Sequence, residues 1–196
     1  MPPRRCRINQ GFHVALEDGS IISCSHDFKV FKRRGRRLVV TEDVLITREN
    51  PRSEDAQLMM EELSHCLSEI TGDSGLNSFN VEDVCHKRAV FAIARDENGV
   101  PIGCGAFRPF ENENAAEIKR MYARKKASGV GSRLLAFLEE EARQMRYACL
   151  RLETRRINIG AVNFYLRHGY KIIPNYGKYI YNEKAVCFEK QLELER

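Results

Sequence analysis

The chain has 196 residues, of which 43% are apolar and 30% charged, and its formal charge is +5. That length suits one domain of ordinary size with a short appendage, and the composition excludes a disordered or fibrous chain. The longest apolar runs, such as 38–40 and 90–94, are too short to span a bilayer, and no apolar stretch of secretory length follows Arg4, Arg5 and Arg7, so a cytoplasmic location without a membrane partner is expected.

Seven cysteines lie at positions 6, 24, 66, 85, 104, 149 and 187, an odd number with no CxxC pair, so a reduced set of packing residues is expected and no metal site. The positive charge is concentrated at the start. Residues 1–40 hold nine Arg or Lys against three acids, a charge of +6, which leaves −1 for residues 41–196. Such a patch reads either as a solvated extension or as a contact for an anionic partner. No aromatic platform or nucleic-acid module accompanies it, so nucleic acid is not the expected partner.

In chain order, residues 12–16 and 21–24 flank an Asp18-Gly19 turn and resemble a β-hairpin within a basic N-terminal extension, 1–43. Residues 44–47 form a strand. Ser53 then caps an amphipathic helix over 53–70, with Leu58, Glu62, Cys66 and Ile70 at helical spacing beside Met59 and Leu63. Asn80 caps a short turn over 81–85. Residues 89–95 and 101–107 form a hairpin about Asn98-Gly99, and 116–122 is a further strand. A long helix covers 131–146, with Leu134, Leu135, Leu138, Ala142 and Met145 on one stripe and Glu139, Glu140 and Arg143 on the other. Residues 149–153 form a strand, 158–168 a helix, and 170–173 and 185–192 the closing strands. The order predicts an α/β fold, a mixed sheet flanked by helices, parallel where a helix crosses between strands.

The informative chemistry begins at Lys126-Ala-Ser-Gly-Val-Gly131, between a strand and a long helix. A helix start offers unpaired N–H groups and partial positive charge to a phosphate. Gly129 and Gly131 allow a close backbone approach. A dinucleotide fold would need a third glycine where Leu134 stands, and the Gly-Lys-Ser/Thr of a P-loop is absent, so the anion does not belong to NAD or ATP.

Glu117-Ile-Lys-Arg-Met-Tyr122, this loop, Leu150-Arg-Leu-Glu-Thr154, and Asn158-x-x-Ala161-x-x-Phe-Tyr165-x-x-x-Gly169-Tyr170 together resemble the GNAT superfamily of N-acetyltransferases. The closing Pro174-x-Tyr176-Gly177-x-Tyr179 resembles a bacterial-type subgroup. The resemblance spans about 44 to 192, and implies a GNAT domain over 44–196 with a splayed central sheet and acetyl-CoA as cosubstrate.

Carried onto this chain, the resemblance implies that Lys126, Ala127, Ser128, Gly129, Val130 and Gly131 wrap the pyrophosphate of CoA, with Ser132 and Arg133 beside them. Lys126 stands where the family usually has Arg or Gln, and the link before it is shorter than usual. Met121 and Ala123 match positions whose backbone pairs with the pantetheine arm, often beside a β-bulge, and Asn158 matches an asparagine that contacts the same arm. Tyr165 matches the tyrosine that protonates the departing thiolate, a role compatible with packing in the core. A phenol, with a reference pKa of about 10, can hydrogen-bond to a thiolate whose thiol has a pKa of about 8.5.

An amine of pKa about 10.4 is mostly protonated at pH 7, so a base is needed before it attacks. Glu117 occupies the family's base position, and Glu153 on the adjacent strand is the second choice. Tyr176 and Tyr179 fall in a loop that borders the family's acceptor site. The expected acceptor is a small-molecule, amino-acid-like or peptide amine, and homodimer formation stays open. Two other readings stand beside this one: a CoA-binding module without catalysis, and a nucleic-acid-associated protein acting through the basic segment.

Overall fold

The computed structural model describes residues 44–76, 79–110, 114–124 and 129–193, together with the backbone of four strands before them. Those are β1 (His13–Ala15), β2 (Ile21–Ser23), β3 (Lys29–Arg33) and β4 (Arg36–Thr41). β1 and β2 pair antiparallel with His13 opposite Ser23, and the Asp18-Gly19 turn expected between them lies outside the described residues. Next come β5 (Val44–Arg48), α1 (Glu54–Thr71), β6 (Val90–Arg95), β7 (Pro101–Phe110), β8 (Ala115–Ala123), α2 (Val130–Gln144), β9 (Cys149–Arg155), α3 (Ile159–Arg167), β10 (Lys171–Ile173) and β11 (Ala185–Gln191). One sheet takes the order β10-β11-β9-β8-β7-β6-β5-β4-β3, antiparallel except where β8 meets β9. That parallel pair is the place where α2 crosses over, as such a connection requires. No helix among the described residues is long and apolar enough to cross a membrane.

The helices begin where the sequence supplies their caps. Ser53 accepts a hydrogen bond from the Ala56 N–H at the start of α1, and Asn158 accepts one from Ala161 at the start of α3. Gly72 ends α1 in the left-handed conformation at φ 73°. α2 begins at Val130, one residue earlier than expected, because Gly129 at φ 77° turns the chain into the helix.

The face of α1 differs from the expected stripe. Ala56, Met59, Met60 and Leu63 are buried, whereas Leu58 and Ile70 are 42% and 47% exposed. The helix is rotated so that its two methionines fill the space over Phe91, Ile93, Cys104 and Ala106. On the opposite face of the sheet, α2 packs Leu134, Leu135 and Leu138 against Val90, Ala92, Phe107 and Ile118. Each fully buried leucine contributes about 1.5–3 kcal/mol by leaving water. Glu139, expected on the solvated side of α2, is buried. Lys190 of β11 holds both its carboxylate oxygens at 2.9 and 2.8 Å, and so removes the usual objection to a buried acid.

Two irregularities in β8 shape the molecule. β8 pairs with β9 at only three positions, Ala115↔Cys149, Ala116↔Leu150 and Glu117↔Arg151, although both strands continue beyond them. Along its other edge, β8 pairs Lys119 with Ala106 and Tyr122 with Cys104, so one extra residue is inserted between those pairs. The insertion centres on Arg120, whose φ of 54° is rare for a residue with a side chain. As a result, Lys119, Arg120 and Tyr122 all face α1, while Ile118, Met121 and Ala123 pack on the α2 side.

Beneath the start of α2, a Cβ on Gly103 would lie 2.8 Å from the Tyr122 carbonyl oxygen and 3.0 Å from a Leu134 methyl. The first is backbone and the second is locked in the core, so neither can retreat. Gly103→Ala is therefore expected to destabilise the protein by about 1–3 kcal/mol, measured as a lower urea midpoint at unchanged slope.

Candidate active site

The divergence of β8 from β9 leaves a cleft of about 350 Å³ passing through the sheet. Because side chains alternate along a strand, its walls differ on the two faces. On the α2 and α3 side stand Ile118, Met121, Leu152, Asn158, Ala161 and Tyr165. On the α1 side stand Lys119, Arg120, Glu153, Arg155 and Tyr179, with Asp73 and Phe79 from the segment after α1.

Tyr165 is 6% exposed, packed edge-on against Phe164 and Tyr170, and burial raises its phenol above the usual range. Its hydroxyl makes no hydrogen bond to the described residues and borders the cleft, so it stays a free donor in neutral solution. Asn158 lines the same wall, with its side-chain oxygen engaged at the cap of α3.

Two features of this wall fit coenzyme A. Beyond Glu117 the edge of β8 has no strand beside it among the described residues, which leaves the backbone at Met121 and Ala123 open to a ligand amide. At the start of α2 the first intrahelical bond is Arg133 N–H to the Gly129 carbonyl, with no side-chain cap, so the N–H groups of residues 129–132 stay available to a pyrophosphate. Arg133 adds a cation in that turn. The Ser132 hydroxyl lies 2.9 Å from His168 Nε2, which fixes the first turn of α2 against the end of α3. Lys126, Ala127 and Ser128, expected in the phosphate loop, lie outside the described residues.

The α1 side is built around a buried acid. Glu117, 1% exposed, accepts from Arg108 Nε and Nη2 at 3.2 and 2.9 Å through one carboxylate oxygen. Its other oxygen accepts from Lys119 Nζ at 2.9 Å and from the Tyr176 hydroxyl at 3.1 Å. Asp83 also pairs with Arg108. Four donors therefore occupy Glu117, and it does not line the cleft. Tyr176 likewise belongs to this network rather than to the cleft wall. Lys119 does line the cleft, and it donates to the Tyr179 hydroxyl at 2.9 Å. Burial pulls the Lys119 ammonium below its usual range, although Glu117 opposes this.

Glu153 stands differently. It lines the cleft and has no hydrogen-bond partner among the described residues, and burial raises its carboxyl above the usual range against the pull of Lys119 and Arg155. A carboxylate with a raised pKa and free lone pairs is the better proton acceptor of the two.

The structure thus brings Tyr165, Asn158, Met121, Glu153 and Tyr179 to one cleft and places Glu117 and Tyr176 behind it. Sequence reasoning missed Arg120, because strict alternation along β8 would point it away from Lys119. The inserted residue brings both to one face. It also missed the Arg155–Asp73 pair, 2.6 Å apart, which joins the end of β9 to the loop after α1. Nothing in either segment alone signals that contact. Among the described residues no cluster of three or more His, Cys, Asp or Glu could hold a metal ion.

Residues 56–170 match the family described as acetyltransferase (GNAT). An IAA acetyltransferase of Azospirillum brasilense is 28% identical over 152 residues, which cover 76% of this chain and 99% of that one. A solved structure from Klebsiella pneumoniae, described as an acyl-CoA N-acyltransferase, is 27% identical with a TM-score of 0.63, covering 76% of this chain and 97% of its own. An aminoglycoside 6'-N-acetyltransferase solved with coenzyme A shares the fold at 14% identity and a TM-score of 0.55, covering 77% of this chain and 98% of its own.

The free, half-buried Glu153 carboxylate carries a stability consequence. Its folded pKa is raised, so the group favours the folded state fully only below its unfolded pKa, and that contribution is lost as pH rises through the folded pKa. Glu153→Gln is expected to melt at a higher temperature than the wild type at pH 8. The gap should close as pH falls towards about 4.3, the reference value for glutamate, and a thermal melt series across this range checks it.

Proposed function

The chain belongs to the acetyltransferase (GNAT) family and is an acyltransferase, and from that premise we propose that it moves an acetyl group from acetyl-CoA to an amine by direct attack. The observation that carries the reading is the cleft through the sheet, with Tyr165 on one face and Glu153 on the other. Bound along the open edge of β8, acetyl-CoA supplies the acetyl thioester. The backbone of Met121 and Ala123 holds the pantetheine arm, Asn158 flanks it, and the N–H groups at the start of α2, with Arg133, hold the pyrophosphate. Lys126 adds a cation by its place in the sequence, and Ala127 and Ser128 lead into Gly129. The fold shared with an acetyltransferase solved with coenzyme A supports coenzyme A as the carrier.

On the α1 side, Glu153 accepts a proton from the acceptor ammonium. The amine then forms the C–N bond as the C–S bond breaks, and Tyr165 donates its phenolic proton to the departing sulfur. The second nitrogen proton is released in the same step and restores the phenol, so one proton reaches the thiol and one reaches solvent. Glu117 acts as a positioning residue, holding Lys119 and Tyr176 and, through Lys119, the Tyr179 hydroxyl. This moves the base from Glu117, where the motif put it, to the carboxylate whose lone pairs are free.

An acyl-cysteine route is disfavoured by the same physics. Complete burial pushes the Cys104 thiol up to about 12, and burial also raises Cys149, so neither is a ready thiolate. We assign this activity to residues 44–196, with 1–43 as an extension. The Pro174-x-Tyr176-Gly177-x-Tyr179 pattern and the likeness to a bacterial relative support a bacterial-type subgroup.

Tyr165→Phe and Glu153→Gln are each expected to lower kcat by about 10²- to 10⁴-fold at pH 7 in a thiol-release assay. The Glu153→Gln deficit should shrink as pH rises towards the pKa of the acceptor amine, where free amine no longer needs a base. A full-rate Glu153→Gln beside an inactive Glu117→Gln would return the base to Glu117.

A further inference from the structure

On the α1 side of the cleft lies a charge that the transfer chemistry does not use. Arg120 is 7% exposed, and its guanidinium sits 4.7 Å from the centre of the Phe79 ring. Its Nη2 donates to the Gly75 carbonyl at 3.1 Å, its Nη1 reaches the Ser64 hydroxyl at 3.5 Å, and its buried Nε has no partner. Neither contact is an anion. The neighbouring cations are satisfied differently: Arg108 has Glu117 and Asp83, Arg155 has Asp73, Arg124 has Glu62, and Lys119 has Glu117. Among the described residues no carboxylate pairs with Arg120.

A guanidinium presents five donors in a planar fork, and leaving one buried without a counter-charge is costly. Here the cost is compounded by the backbone, since Arg120 occupies a left-handed conformation that an arginine seldom adopts. The strained bulge turns this side chain away from the α2-side core and into the cleft wall that Glu153 and Lys119 also line. The cleft wall as a whole has Lys119, Arg120, Arg155 and Lys178 against Asp73 and Glu153, so its charge suits an anionic guest. Burial lowers the Arg120 pKa only from the arginine range, which leaves the group charged in neutral solution.

We propose that Arg120 receives a carboxylate of the acceptor, so that the amines acetylated are amino-carboxylates such as free amino acids, held with the amine towards Glu153. The inference rests on the transferase reading and names its acceptor class. A carboxylate in the cleft would supply the counter-charge that this guanidinium lacks, which a peptide amide or a polyamine cannot do.

The test compares free amino acids of increasing amine-to-carboxylate spacing (glycine, β-alanine and γ-aminobutyrate) with their carboxamides, using kcat/KM for thiol release. The expected wild-type result is a preference for at least one carboxylate over its amide by about 10- to 100-fold, carried mainly in KM, as for loss of a charged hydrogen bond. Arg120→Asn keeps a residue that tolerates the left-handed backbone, which guards against misfolding, and should abolish the preference. Arg120→Lys keeps the charge and should retain part of it. A wild-type ratio near one, or a ratio unchanged in Arg120→Asn, overturns the inference while leaving acetyl transfer intact.

Calorimetry with the same acceptors on CoA-saturated protein separates the two readings if no acceptor turns over. Carboxylate binding that Arg120→Asn removes still supports the anion site while contradicting acetyl transfer to these acceptors. The absence of carboxylate binding contradicts the site.

Discussion

Two strands that begin as neighbours in a sheet normally remain hydrogen-bonded for as long as both continue, because each unpaired backbone group that leaves water has to be compensated. In this chain β8 and β9 part after Glu117 and Arg151, and each still runs several residues further. One residue is inserted in β8 at Arg120, and a bulge of this kind bends a strand and increases its local twist. Gly105 leaves room for the Met121 side chain beside the bulge, since a Cβ there would meet the Met121 sulfur at 2.5 Å. From the parting follow the cleft and the open β8 edge on one of its walls.

The opposite sides of this opening are electrostatically unlike. Among the described residues the α2 and α3 wall is mostly apolar, with Tyr165, Asn158 and Thr154 as polar side chains beside the backbone donors of a strand edge and a helix start. The α1 wall is a network of charges fixed by Glu117, where one fully engaged carboxylate organises Arg108, Lys119 and Tyr176. Such a network is expensive to assemble and rigid once satisfied. Its rigidity gives Glu153 a constant setting, half-buried beside fixed cations without being hydrogen-bonded to them. A carboxylate that accepts a proton and later gives it up works best when its own bonds do not have to break.

Much of the fold was legible because local signals agreed with the tertiary structure. Ser53 caps α1 and Asn80 caps the short turn that follows it, as expected, and the unbroken apolar run of β6 matches a strand covered by helices on both faces. What the sequence concealed depends on contacts between distant segments. The rotation of α1 towards Met59 and Met60 is decided by the shape of the sheet beneath, and the burial of Glu139 by Lys190, 51 residues away. The lining of the candidate cleft was legible at Tyr165, Asn158 and Glu153, which sit on motifs. Arg120 was hidden because one inserted residue reverses the side on which it points, and no composition or spacing records an insertion within a single strand.

The central claim is that the open β8 edge and the start of α2 form one acetyl-CoA site. Hydrogen–deuterium exchange with and without acetyl-CoA addresses it directly. The account predicts added protection at residues 121–123 and 129–133 on adding the thioester, with β6 unchanged because its amides are already paired in the sheet. Protection elsewhere, or none at these two segments under saturating ligand, would contradict it.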